Sequence, residues 1–205
     1  MKILASQVEK KFRQEFVIKN FNYTFQAGQS YAITGPNGSG KSTLINVLSQ
    51  FSLPTQGSIQ YVKGDQEIAS EDSFRHITFV APYTELIEEF NPMELIDFLK
   101  KTNYLPGYFD IEAFEDYSEL KISRHKIIKN FSSGMKQKVK LSLAMASQRP
   151  ILLLDEPTSN LDEKAKFWFK EKLMTLPDKL IIIASNEQEE INQCTQNLSI
   201  LDYKN

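Results

Sequence analysis

The nine residues Gly35-Pro36-Asn37-Gly38-Ser39-Gly40-Lys41-Ser42-Thr43 fit the spacing G-x-x-x-x-G-K-[ST], a loop whose chemistry is directed at phosphate. Its glycines let several backbone N–H groups converge on one anion. A following helix would add the partial positive charge of its N-terminus. Lys41 would reach the β- and γ-phosphates of a nucleoside triphosphate, and the Ser42 hydroxyl would ligate Mg²⁺. A second constellation is Asp155-Glu156, directly after the apolar run Ile151-Leu152-Leu153-Leu154. On their own, two acidic residues there would read as the cap of a strand. With a phosphate loop in the same chain they read as the other half of a triphosphatase site. Asp155 would hold Mg²⁺, often through water, and Glu156 would polarise the attacking water as general base.

These groups need elements to position them. The phosphate loop follows Ser30–Thr34, which reads as a buried strand, and precedes Leu44–Leu48, which reads as the start of a helix. That strand–loop–helix context is what the motif requires. Residues 2–34 carry short β-type runs with turn signals. In Glu15–Phe25 the alternation puts Phe21, Tyr23 and Phe25 on one face, as in a half-buried antiparallel strand. Ser58–Val62 and His76–Ala81 are further strand candidates, the latter ended by Pro82.

Between about 85 and 135 the texture changes. Residues 85–119 are rich in Asp and Glu, whereas 121–140 are basic without a carboxylate. Apolar spacing at Met93, Ile96 and Leu99 and at Leu95 and Phe98 predicts helix, with Asn91-Pro92 as cap and first-turn proline. Residues 1–84 and 136–205 are therefore expected to form an α/β core, and 85–135 a helical subdomain inserted into it. The continuous apolar runs Ile151–Leu154 and Leu180–Ala184 are typical of central parallel strands. A helix is expected over Glu163–Leu176, and Asn197–Leu201 closes the sheet.

Composition narrows the class. At 205 residues, 41% apolar and 24% charged, the chain suits one soluble globular domain. A net charge of −2 provides no global positive field to recruit nucleic acid, so no direct nucleic-acid partner is expected. A single cysteine, Cys194, cannot build a disulfide framework and fits a reducing compartment. The N-terminus has no long apolar region of a secretory signal, and no run approaches the length of a membrane-spanning helix.

A third motif carries a family resemblance. Phe131-Ser132-Ser133-Gly134-Met135-Lys136-Gln137-Lys138 resembles the L-S-G-G-Q signature of ABC-type ATPases, with Phe131 for Leu and Ser133 for the first Gly. Ser159-Asn160-Leu161-Asp162 resembles their D-loop. Phosphate loop, signature, Asp-Glu strand and D-loop stand in the family's order and spacing, over nearly the whole chain. The resemblance implies an α/β phosphate-loop NTPase fold of ABC type: a mixed sheet core, an N-terminal antiparallel β part and an inserted helical subdomain. It implies head-to-tail pairing of two copies, with ATP sandwiched between the phosphate loop of one and Ser132, Ser133 and Gly134 of the other. As a plain structural element, the same motif is a helix N-cap at Ser132 or Ser133; a capped N-terminus is also an anion site. It further implies an aromatic residue stacking on adenine upstream of the phosphate loop, for which Phe12 matches better than Phe16.

Two departures from the family stand out. Pro82 occupies the position of a glutamine that contacts Mg²⁺ and the attacking water; Tyr83 and Glu85 are the nearby replacements. Asn186 occupies the position of the switch histidine, and neither His76 nor His125 follows that last strand. Asn can donate an amide hydrogen bond but cannot relay a proton. Nucleotide binding should survive both changes, and hydrolysis should persist, at a reduced rate. The leading expectation is a transporter's nucleotide-binding ATPase subunit, similar to small bacterial export-type subunits, including that of haem export. It would work with ATP, Mg²⁺, a second copy of itself and a separate permease, peripherally on the cytoplasmic face of the membrane. The surface between the core and the helical subdomain, near Pro82–Phe90, would receive a cytoplasmic helix of the permease, and the acidic segment 85–119 would favour a basic partner loop. Alternatives are an ABC ATPase acting on ribosomes or DNA, and an ATP-gated clamp with little turnover. The interval from Lys41 to Ser132 has no sustained heptads for a coiled-coil insert. A small metabolite kinase would leave the signature unexplained.

Overall fold

Alternating apolar residues pair the N-terminal strands into an antiparallel sheet. In the computed structural model, which describes residues 1–204, β1 (Lys2–Phe12) and β2 (Glu15–Gln26) form a long hairpin. β4 (Gln56–Lys63) and β5 (Gln66–Ile68) complete it in the order β2-β1-β4-β5. Phe21, Tyr23 and Phe25 do share a face, with Phe21 and Phe25 fully buried and ring centroids 6.3 Å apart. The second sheet is built on the continuous apolar runs of β7 (Ile151–Asp155) and β8 (Leu180–Ala184), joined by β3 (Ser30–Thr34), β6 (Ile77–Val80) and the polar β9 (Gln196–Ser199), in the order β6-β7-β8-β3-β9. β7, β8, β3 and β9 run parallel. Helix α1 (Lys41–Leu48) buries Leu44, Ile45, Val47 and Leu48 in the core that both sheets share.

The backbone of β1 departs from regularity at Gln7, whose φ is +48°, where its pairing with β2 and β4 shifts register. Gly57 answers that bulge. A Cβ on Gly57 would lie 2.2 Å from the Gln7 carbonyl oxygen, and its φ is +79°. Both the contact and the dihedral demand glycine. Gly57→Ala is expected to cost about 3 kcal/mol and lower Tm by roughly 6–12 °C in a thermal melt.

Packing divides the chain into two compact units. The first comprises residues 1–79, 150–156 and 177–205, and the second residues 80–149 and 157–176. The second unit contains α2 (Pro92–Lys101), α3 (Ile111–Ser118), α4 (Ser133–Ala146) and α5 (Glu163–Met174). Its core gathers Leu95, Ile96, Phe109, Phe114, Phe131, Val139 and Leu143 among others. The unit is larger than the 85–135 segment expected from the sequence, because α4 and α5 pack with it. Asn91 closes a full capping box with Glu94 at the start of α2, with Pro92 as first helical residue. A short α6 (Gln188–Ile191) follows β8 in the first unit. Among the described residues no helix is long and apolar enough to cross a membrane.

Candidate functional site

The phosphate loop forms as its glycines require. Gly35, Gly38 and Gly40 all have positive φ. A Cβ on Gly40 would lie 2.6 Å from Val17 Cγ1, and one on Gly35 would lie 2.7 Å from Ile200 Cγ2. Gly40 caps α1, so Lys41, Ser42 and Thr43 make up its first turn, with amides unused by the helix ladder. Lys41 is buried and donates to the Gly35 carbonyl at 2.8 Å and the Pro36 carbonyl at 3.3 Å. The ammonium is thereby stored inside the loop, on weak neutral acceptors that an anion would outcompete.

The end of β7 meets this loop. Ser42 Oγ donates to Asp155 Oδ1 at 3.1 Å, across 113 residues of sequence. Asp155 is 1% exposed, and that burial raises its carboxyl pKa above the ordinary value. The Ser42 hydrogen bond and the Lys41 charge act in the opposite direction, and Glu156 adds to the rise. A cation shared by Ser42 and Asp155 would favour the ionised carboxylate and so oppose that rise. Glu156 is exposed, and its φ of +44° is unusual for a side chain of its size. Its N–H donates to the Ala184 carbonyl at 2.9 Å, tying it to β8. Asn186, two residues beyond β8, donates through Nδ2 to Asn37 Oδ1 at 2.6 Å. The Asn186 side chain therefore touches the phosphate loop itself.

A cleft of about 310 Å³ lies over the loop, lined by Phe12, Val17, residues 37–43 and Glu156. Phe12 is 54% exposed within it, with Lys10 Nζ 5.2 Å from its ring centroid. Phe16 is not part of the lining; its ring lies beside Lys11 and Lys19. Ser39 Oγ is buried and has no hydrogen-bond partner among the described residues. An orphaned hydroxyl in an amide-rich loop fits an anionic guest.

The other motifs belong to the second unit. Ser132 caps α4, accepting from the Met135 N–H at 3.2 Å, which leaves the Ser133 and Gly134 amides in the first turn. Asp162 caps α5, accepting from the Ala165 N–H at 2.8 Å. Pro82 lies in a tight turn in which the Thr84 N–H donates to the Ala81 carbonyl at 3.1 Å. Lys140 donates to the carbonyls of Ala81 and Thr84, and its burial lowers its pKa. Sequence reasoning missed Lys140; its place in the polar run of α4 carries no signal for it. Tyr83 is exposed, and Glu85 lines a small cleft of about 180 Å³ with Ser133, Lys136, Gln137 and Lys140.

Cys194 is a free, partly buried cysteine. Burial pushes its thiol up to about 12. At pH 8 we expect iodoacetamide to label the folded chain about 10²-fold or more slower than the unfolded one, because the thiolate is the reactive species. A raised pKa favours the folded state through its proton. This contribution is complete below about pH 8.5, the unfolded value, and is lost as pH rises towards 12.

The strand–loop–helix with Lys41 and Ser42, joined to the carboxylates at the end of β7, defines a phosphate-loop ATPase. The chain belongs to the ABC transporter family, whose model matches residues 18–159. It is 32% identical over 191 residues to the uncharacterized ABC transporter ATP-binding protein YybJ of Bacillus subtilis, covering 89% of this chain and 84% of that protein. It is 26% identical over 202 residues to the Nod factor export ATP-binding protein I of Burkholderia lata, covering 95% of this chain and 66% of that protein. Its fold matches a solved ATP-binding subunit of an ABC transporter at a TM-score of 0.85 and 20% identity, over 97% of this chain and 85% of that one. It also matches a dimeric ATP-binding cassette bound to ADP and Pi at a TM-score of 0.82 and 23% identity, over 96% and 93% of the two chains.

Proposed function

We propose that this chain binds and hydrolyses ATP as the nucleotide-binding subunit of a membrane transporter, pairing head to tail with a second copy on ATP and driving a separate permease. The observation that carries the reading is the junction of Ser42 with Asp155 beside the buried ammonium of Lys41. These groups form the donor set for a triphosphate and its Mg²⁺. Lys41 moves from the Gly35 and Pro36 carbonyls to the phosphates, and the loop amides with Ser39 Oγ complete the cradle. Ser42 and Asp155 would hold Mg²⁺, which supplies charge neutralisation at the phosphate oxygens. Phe12 is placed to stack on the adenine.

Glu156 accepts a proton from the water that attacks the γ-phosphorus; the bond to the β–γ bridging oxygen breaks, and ADP leaves with phosphate. Asn186 Nδ2 turns from Asn37 to donate to the γ-phosphate, a neutral amide donor where the family has a histidine. Ser132, Ser133 and Gly134, at the N-terminus of a 14-residue helix, face the nucleotide of the second copy. ATP then joins the two copies, and hydrolysis releases them. The permease would place the chain peripherally at the cytoplasmic face, with the turn at Pro82 and the acidic segment after it towards a basic loop. The relatives' names, an ABC transporter ATP-binding protein and an export ATP-binding protein, support this assignment.

Light scattering on the Glu156→Gln variant tests the pairing. With Mg-ATP the mass should double from the 23.6 kDa of the single chain, and it should return to that value when nucleotide is removed. A mass that stays single while ATP is bound would refute the ATP-joined dimer.

A further inference from the structure

Gln137 is a polar side chain with a specific buried partner that the mechanism above does not use. It lies on α4, one turn after Ser132–Gly134, and is 6% exposed. Its Nε2 donates to the Pro157 carbonyl at 2.7 Å, a buried contact across 20 residues. A second close approach lies beside it. A Cβ on Gly134 would come within 3.1 Å of the Asn160 carbonyl oxygen, so the segment 157–160 lies directly on the first turns of α4. Asn160 itself has a φ of +68°.

Pro157 is the residue bonded to Glu156, whose own φ is +44°. Non-glycine residues keep such a conformation only where their surroundings fix it. On the N-terminal side Glu156 is fixed by its N–H to the Ala184 carbonyl. On the C-terminal side, Pro157 has no N–H to contribute, and its carbonyl is the group that Gln137 grips.

We propose that Gln137 is a positioning residue for hydrolysis, holding the Pro157 carbonyl so that the Glu156 carboxylate stays aimed at the attacking water. The inference rests on the ATPase reading above, in which Glu156 is the general base. It also gives α4 two duties within one chain. The N-terminus of α4 reads the nucleotide of the second copy, and its next turn steadies the peptide that follows this copy's own base.

Steady-state kinetics on the full chain with Mg-ATP, comparing wild type, Gln137→Met, Glu156→Gln and the double variant, test this. Gln137→Met should lower kcat about 10-fold and leave KM within about twofold, since uniform ATP binding is untouched. In the Glu156→Gln background the same change should cost nothing further, because it acts through the carboxylate that is already absent. Unchanged kcat in Gln137→Met, or an equal loss in both backgrounds, would overturn the proposal. If wild type releases no more phosphate than Glu156→Gln, the ATPase reading has failed instead. Amide exchange over residues 158–161 then decides whether Gln137 fixes this segment. Faster exchange in Gln137→Met, with Tm within a few degrees of wild type, is the expected result, and unchanged exchange would overturn it.

Discussion

Glu156→Gln should lower steady-state phosphate release by about 10²–10³-fold while ATP still binds. Glutamine matches glutamate in size and keeps the side-chain carbonyl, so the cleft and the loop are undisturbed. It cannot take up a proton, so the attacking water loses its acceptor. The backbone of residue 156 is held by the Ala184 carbonyl through its N–H, and the substitution leaves that bond in place. ATP affinity, read by equilibrium binding, should therefore stay within a few-fold of wild type. A variant that loses binding in proportion to turnover would assign Glu156 to nucleotide binding rather than to proton transfer.

Lys41→Ala should act on the other quantity. Its ammonium is the buried cation of the cleft's lining. Charge-assisted hydrogen bonds to phosphate contribute roughly 1.5–3 kcal/mol each. Losing them should weaken Mg-ATP binding by about 10²-fold, read by calorimetry or a fluorescent nucleotide. The substitution also frees the carbonyls of Gly35 and Pro36, so Tm should be compared alongside. Binding within a few-fold of wild type, in a protein of unchanged Tm, would remove Lys41 from the phosphate site.

The site was legible in the sequence where local chemistry dictates local shape. Glycines in a fixed pattern between an apolar run and a helix start allow one loop, and the carboxylates at the end of Ile151–Leu154 fall at the mouth of a central parallel strand. The caps at Asn91 and Ser132 follow from side chains that can accept a nearby N–H. What escaped the sequence depends on distant contacts. The positive φ of Glu156 has no signature, because glutamate does not mark such positions as glycine does. The Gln137 contact with Pro157 and the Lys140 contacts with the 81–84 turn join residues far apart in the chain, on faces of α4 whose polarity suggests solvent. For the same reason the second unit extends beyond 85–135: α4 and α5 carry mixed patterns, and only packing assigns them. Gly57 carries no local mark of its close approach to the Gln7 carbonyl.

Pro82 and Asn186 stand where the resemblance implies a glutamine and a histidine, so turnover by the unaltered chain is the central claim. Phosphate release by wild type with Mg-ATP, measured over a range of chain concentrations beside Glu156→Gln, tests it most directly. Release well above the variant is expected, with specific activity rising as the chain concentration rises, because the active form is a pair. Release no greater than that of Glu156→Gln, with ATP bound by both, would contradict it and leave an ATP-gated clamp.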